Sequence, residues 1–197
     1  GVNGGYQKDA NGEYVLDGTG NVILSESAMG LALSNVDFEL AMLTQQGAAT
    51  HKWTSLQATA GSVGFVGLGE DVTIRATDVQ VQINQASVLT DAVVDYSAGK
   101  SELMNLTLDG AKGEYMQASG TLDINVYGFV SVYGDLVVTK SSQNVKLARD
   151  TDGTVVNEKT TGITVDTLTI EGNNLNAFAG VNGGYQKDAN GEYVLDG

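Results

Sequence analysis

The feature that most constrains this chain is an exact duplication at its two ends. Residues 1–18 and residues 180–197 both read GVNGGYQKDANGEYVLDG, so all 18 positions match at an offset of 179 residues. A match of this length does not arise by chance. We expect residues 1–179 to form one full period of a tandem repeat and residues 180–197 to begin the next period. An engineered duplication, or a single domain with two copies of one hairpin, are the alternatives.

The polarity pattern of the chain predicts β-strands. Alternation of period two places the apolar members of a segment on one face of a strand and the polar members on the other. No segment shows a sustained helical period, so we predict an all-β fold. The alternating segments are residues 36–42, 72–76, 79–83, 122–126, 163–165 and 168–170.

Two segments carry strong turn signals. Asp9-Ala10-Asn11-Gly12 and Asp150-Thr151-Asp152-Gly153 each lie between short apolar runs. Asn-Gly and Asp-Gly pairs supply the positive φ angles that a tight hairpin needs. We therefore predict projecting hairpins at both places, the first of which recurs at residues 188–191.

The spacing of strands and glycines indicates a repeated coil. Residues 61–74 and 120–138 each combine a short strand, a bend marked by glycine and a second strand. Units of roughly 20–25 residues match one coil of a β-solenoid, and about eight would fill one period. The chain has no proline, which would delete a ladder hydrogen bond. We predict an elongated β-solenoid-like tandem repeat with projecting hairpins, and antiparallel β-sandwich or β-roll repeats are the alternative.

Composition excludes several classes of function. The formal net charge is -14, from 24 acidic and 10 basic side chains. Nucleic-acid binding needs clustered lysine and arginine, so we expect no nucleic-acid partner. The apolar runs are far shorter than the ~20 residues of a membrane span, so we expect no membrane insertion. The lack of cysteine rules out disulfides and thiolate metal sites.

The two predicted turns also hold the candidate metal ligands. Asp9 with Asn11, and Asp150 with Asp152, place two oxygen donors two residues apart next to a glycine. Calcium prefers carboxylate and carbonyl oxygens on a tight loop. Neither loop has the remaining ligands of an EF-hand, so a plain hairpin turn explains the same residues without a cation. No other cofactor is predicted.

No catalytic constellation is visible, and we predict that the chain is not an enzyme. His51 is the only histidine, and it lies in the small polar stretch 47–52, which we interpret as a surface loop. A Gly-x-Ser-x-Gly motif is absent. Asp37 and Glu39 could form a carboxylate pair, but they alternate with apolar residues, as expected of the wet face of a strand.

The β units, rich in asparagine, glycine and aspartate and with Asp-x-Asn-Gly turns, resemble the repeat regions of giant bacterial surface adhesins and extracellular filament proteins. The resemblance implies a non-catalytic structural unit of a bacterial fibre or adhesin stalk, located outside the cell or on its surface. Its partners would be adjacent identical repeats, end to end, and other cells or surface glycans. A self-assembling filament subunit and a β-helix protein that binds or cleaves polysaccharide are the alternative functions.

Overall fold

The computed structural model of the chain describes residues 5–69, 71–88, 90–101, 103–147, 162–181, 185–188 and 193–195. Helix in this part of the chain is limited to one turn of 3₁₀ helix at Gly110–Lys112, so the predicted all-β class is confirmed. That turn falls far short of the length and hydropathy of a membrane-spanning helix. The strands are β1 (Gly30–Gln45), β2 (Ala48–Val66), β3 (Val72–Ala86), β4 (Tyr115–Val126), β5 (Val130–Val145), β6 (Ile163–Ala179), β7 (Tyr185–Lys187) and β8 (Tyr193–Leu195).

Strands β1 to β6 form one open antiparallel sheet in which the spatial order equals the chain order. Each strand pairs with its neighbour along the chain, which makes the sheet a meander. Within the described residues, β1 and β6 are the edges, and each has a paired strand on one side only. β7 and β8 form a separate two-stranded hairpin.

The sheet does not show the predicted solenoid. A solenoid would stack short coils, whereas these strands run for 12 to 19 residues and pair antiparallel with their chain neighbours. The alternative prediction, a β-sandwich or β-roll, had antiparallel pairing, as the structure does. The described strands β1 to β6, however, form a single open sheet. The hairpin predicted at Asp150 to Gly153 lies outside the described residues.

The two faces of the sheet differ sharply in polarity. One row that crosses all six strands is almost entirely apolar, and the neighbouring row on the same face repeats this character. The two rows are Leu40, Leu56, Ile83, Met116, Lys140 and Leu168, and Phe38, Ala58, Val81, Ala118, Val138 and Ile170. We call this side the apolar face.

The opposite side is the polar face. Because side chains alternate along a strand, the residues between the apolar ones point to this side. One of its rows is polar in every strand: Glu39, Gln57, Gln82, Gln117, Thr139 and Thr169.

Left-handed residues interrupt three strands near their middles. Asn35, Asp78 and Asn174 have φ angles of 50°, 51° and 50°. Asparagine and aspartate tolerate this conformation better than other residues that carry a Cβ. The register shifts beside Asp78 and beside Asn174. In β3 the extra residue moves the alternation by one position, which keeps Ile74 and Ile83 on the same face.

Residues 87–114 connect β3 to β4, and those of them that the structure describes cover one end of the polar face. The buried core cluster of the protein lies here and consists of Ala41, Tyr96, Leu106, Leu108 and Tyr115. The connection is anchored to polar-face side chains, since Trp53 Nε1 donates to the Ala92 carbonyl at 2.9 Å. Asn84 Nδ2 donates to the Val94 carbonyl at 2.8 Å. The protein therefore covers one end of its polar face with its own chain.

Candidate functional site

Asp9 and Asn11, two of the predicted calcium ligands, lie in the first turn of the N-terminal segment. Oδ1 of Asp9 accepts hydrogen bonds from the backbone amides of Asn11 at 2.8 Å and Glu13 at 2.9 Å. These amides, that of Glu13 first, lower the pKa of Asp9 because they stabilise its charged form. The carboxylate thus holds the turn in shape. The other two candidates, Asp150 and Asp152, lie outside the described residues.

Asp17 holds a second turn of the same kind, which the sequence reasoning missed. Its Oδ1 accepts hydrogen bonds from Thr19 Oγ1 at 2.7 Å and from the amides of Thr19 and Asn21 at 2.8 and 2.9 Å. The Thr19 hydroxyl makes the largest contribution, and the pKa of Asp17 falls to about 2. A signal was present in the sequence, because Asp17 and Gly20 follow Asp9 and Gly12 at a spacing of eight residues.

A third turn follows at Ser25, and the three turns build a small unit of residues 5–28, which we call the N-terminal unit. Each turn is closed by a backbone hydrogen bond from residue i+3 to residue i: Gly12 to Asp9, Gly20 to Asp17, and Ala28 to Ser25. Between the turns, three short extended segments pair with one another. The bridges are Tyr6 with Leu24, Lys8 with Tyr14, and Leu16 with Val22.

The second copy of the 18-residue sequence pairs in the same register as the first. Lys187 pairs with Tyr193, which corresponds to the bridge between Lys8 and Tyr14 at the offset of 179 residues. One step further along, the two copies differ. In the first copy Tyr6 pairs with Leu24, whereas in the second copy the corresponding tyrosine pairs with Leu195. The extended segment of residues 22–24, which follows the first copy, therefore provides the pairing partner of Tyr6.

His51 lies in strand β2, so the prediction of a surface loop is wrong. The β1–β2 hairpin turns at Gln46 and Gly47, and it places Ala48 already in the strand. His51 Nδ1 lies 2.6 Å from Asp91 Oδ2 of the β3–β4 connection. The pair joins the connection to the sheet.

Asp95 organises the interior of the same connection. Its Oδ1 accepts hydrogen bonds from the Ser97 hydroxyl at 2.6 Å and from the Gly110 amide at 3.2 Å. The Ser97 hydroxyl and amide and the Gly110 amide lower the pKa of Asp95. Neighbouring Tyr96 is 3% exposed and belongs to the core cluster. These contacts account for His51, Asp91 and Asp95 as structural residues.

Metal-binding geometry is not found in the part of the chain that the structure describes. No three histidine, aspartate or glutamate side chains there lie close enough together to hold an ion. The described carboxylates of Asp9, Asp17 and Asp95 each accept hydrogen bonds from their own turns.

A cleft of about 570 Å³ lies between the N-terminal unit and the sheet. Tyr6 and Asn21 line it on one side, and Ser62 and Arg75 line it on the other. Arg75 is held by Asp123, whose Oδ2 lies 2.9 Å from Nη2 and accepts a hydrogen bond from Nε at 3.1 Å. The cleft has the size and the polar groups of a small-ligand site.

The apolar face is the largest feature without an evident structural explanation. Large side chains on it are strongly exposed: Phe38 is 67% exposed and Ile170 is also 67% exposed. Even in the central strands, Met116 is 37% exposed. Monomeric proteins rarely expose contiguous apolar patches beyond a few hundred Å². The apolar face is therefore a candidate surface for association.

Comparison with protein-family models, with curated proteins and with solved structures finds no match to this chain.

Proposed function

We propose that this chain is a non-catalytic structural unit of a tandem array, in which the 179-residue period recurs along a fibre or adhesin stalk on the outside of a bacterial cell. The observation that carries the proposal is the duplicated 18-residue segment, which pairs in the same register at both ends of the chain. A segment that keeps the pairing of Lys8 with Tyr14 at the corresponding residues Lys187 and Tyr193 suits a joint between successive units.

The N-terminal unit indicates what a joint would contain. In the first copy, Ile23 accepts a hydrogen bond from the Gln7 amide at 2.8 Å and donates its own amide to Val15 at 2.9 Å. Residues 21–25 thus join the two halves of the duplicated segment. In an array, the residues that follow the second copy would supply the same contacts, and each joint would be a complete N-terminal unit.

The free edges of the sheet support end-to-end contact between periods. β1 and β6 have 16 and 17 residues, so the two edges are of similar length. With six strands in a meander, β6 runs antiparallel to β1. The β1 strand of a following period could therefore pair with β6 as the next strand of the meander. Such pairing would satisfy backbone groups that an isolated period leaves open at its edges, and it would give the continuous β ladder of a rod.

The experiment compares chains that contain one, two and three copies of residues 1–179. If neighbouring periods stack, each added junction contributes interface, and the melting temperature rises with the number of copies. Circular dichroism and calorimetry measure the transition at equal mass concentration.

The one-copy chain at the same mass concentration is the control, because it shows whether separate copies associate end to end without a covalent link. A rise that appears only in the covalent arrays supports the tandem unit. If separate copies assemble and reach the melting temperature of the three-copy chain, the filament-subunit alternative replaces it. Identical melting of all three chains, without assembly, would contradict both.

The cleft beside Arg75 favours a second function, the binding of a surface glycan. Tyr6 is 41% exposed at this cleft, and an accessible ring beside amide and hydroxyl groups suits a sugar. A glycan array should then give a hit that is lost in Tyr6→Ala. Tyr127→Ala is the matched control, because Tyr127 is 62% exposed in another part of the molecule. An array without hits removes this function.

A further inference from the structure

The apolar face of the sheet points to a partner. A single sheet with one apolar side needs a second layer to bury that side, and sheets of two-layer proteins pack face to face. We propose that the apolar face packs against the same face of a second copy of this chain, which gives a β-sandwich with a shared core. The proposal concerns one period and does not depend on the tandem array.

The area of the face is sufficient for a stable dimer. Six strands at about 4.8 Å and twelve paired residues at about 3.4 Å give a surface of roughly 29 by 41 Å, or about 1,200 Å² on each copy. Stable interfaces bury about 1,200–2,000 Å² in total. Two copies in full contact reach this range even if the twist of the sheets prevents contact at the corners.

The distribution of charge selects this face for contact between identical chains. Two copies that each carry a net charge of -14 repel each other. The polar face carries five of the sheet's carboxylates and one arginine: Asp37, Glu39, Asp123, Asp135, Glu171 and Arg75. In the paired rows of the apolar face, the only charged side chains are those of Lys52, Lys140 and Asp166. Face-to-face contact through the apolar side therefore avoids most like-charge pairs.

The chain's own long connection strengthens the assignment. The described part of residues 87–114 lies on the polar face, where Thr107 donates to Gln57 Oε1 from its amide at 3.2 Å and from its hydroxyl at 3.0 Å. The only described core cluster is on that side. Yet the apolar face holds Leu168, which is 68% exposed, and Met42, which is 76% exposed. A second sheet with the same face provides a complementary apolar layer.

The test is sedimentation of the 197-residue chain with two matched variants in β4. Ala118→Arg places a charge on the apolar face, and its neighbour Ser119→Arg places the same charge on the polar face. We expect the wild-type chain to be a dimer at about 50 µM, because interfaces of this area bind with micromolar or lower dissociation constants. Burying an unpaired guanidinium should weaken the dimer at least about tenfold in Ala118→Arg, with little change in Ser119→Arg.

Methionine oxidation of the wild-type chain gives a second readout that needs no variant. Met42 and Met116 lie on the apolar face, while Met104 lies in the β3–β4 connection and is 63% exposed. In the dimer, hydrogen peroxide should oxidise Met42 and Met116 more slowly than Met104. Dilution below the dissociation constant should speed the oxidation of Met42 and Met116 and leave the rate of Met104 unchanged.

The outcomes separate the possible occupants of the face. A dimer that is weakened by Ala118→Arg and protects Met42 and Met116 supports the proposal. A monomeric wild-type chain overturns it, and protection of the same methionines in that monomer would assign the face to a segment of the chain itself. A dimer weakened equally by both arginine variants, or with Met42 and Met116 fully reactive, also overturns it. None of these results depends on the melting of multi-copy chains.

Discussion

The carboxylate of Asp17 links the local structure of the N-terminal unit to pH. Its pKa is lowered to about 2 by the Thr19 hydroxyl and by the amides of Asn21 and Thr19. Because the folded-state pKa lies below the ordinary aspartate value of 3.8, the contribution of this group to stability is present above that value and is lost as the pH falls toward 2. We expect the carboxyl resonance of Asp17 to titrate near 2 in an NMR series.

Two substitutions separate the charge of Asp17 from its geometry. Asp17→Asn keeps an oxygen that accepts from Thr19 and Asn21 but cannot ionise, so the turn should persist without acid sensitivity. Asp17→Ala should lose the turn at all pH values, which the amide shifts of Gly20 and Asn21 report. Titration of Asp17 at 3.8 or above would contradict the hydrogen-bond network.

Individual turn residues show how far the sequence could be read. The turn at Asp9 was predictable because Asn11-Gly12 supplies a positive φ, and Gly12 has φ 85°. The turn at Asp17 escaped because Thr19-Gly20 is a weaker signal than Asn-Gly. Only the spacing of eight residues would have revealed it. His51 was misplaced because small residues around Gly47 resemble a loop, while its partner Asp91 is 40 residues away.

Within the strands, left-handed residues lie against glycines of the neighbouring strand. A Cβ on Gly61 would lie 3.2 Å from the Cβ of Asn35, and one on Gly134 would lie 2.6 Å from the Asn174 carbonyl oxygen. Gly134 itself has φ 143°. We expect Gly134→Ala to destabilise the protein by about 3 kcal/mol, since a strained φ and a backbone clash add together. Urea unfolding measures this change.

Gly47→Ala is the control for the clash. Gly47 has φ 79° in the β1–β2 turn, and a Cβ there would meet nothing within 4 Å. It should lose only about 1 kcal/mol, from the left-handed conformation of a residue with a Cβ. Equal losses for the two variants would mean that the approach of β6 to Gly134 does not constrain the sheet.

The alternation predicted the strands but not their partners. Residues 72–76 and 79–83 alternate out of phase in the sequence, and the structure places a left-handed residue, Asp78, between them. The change of phase in the sequence could thus have predicted a β-bulge at this position. Alternation assigns residues to faces, whereas pairing depends on which strands meet, and a coil and a hairpin give the same pattern. For this reason the sequence favoured a solenoid where the structure has a meander.

For the whole molecule, the decisive property is which face the chain covers. Polar alternation suggests that the apolar side of a sheet will be inside. Here the long connection 87–114 folds onto the polar side through scattered hydrogen bonds such as those of Trp53 and Asn84. A local sequence pattern does not predict such contacts, because the two partners of each hydrogen bond are separated along the chain. The candidate association surface therefore emerged only from the three-dimensional arrangement.

Salt distinguishes an apolar interface from one built on ion pairs. Each copy carries a net charge of -14, and most of the sheet's carboxylates lie away from the apolar face. Raising sodium chloride from about 20 mM to about 500 mM shortens the screening length several-fold and weakens this repulsion. We expect dimerisation, followed by sedimentation equilibrium, to become about fivefold tighter over that range, because charge opposes contact and burial of apolar area drives it. Weaker association at high salt would show that opposite charges hold the copies together, and the apolar face would then not be the interface.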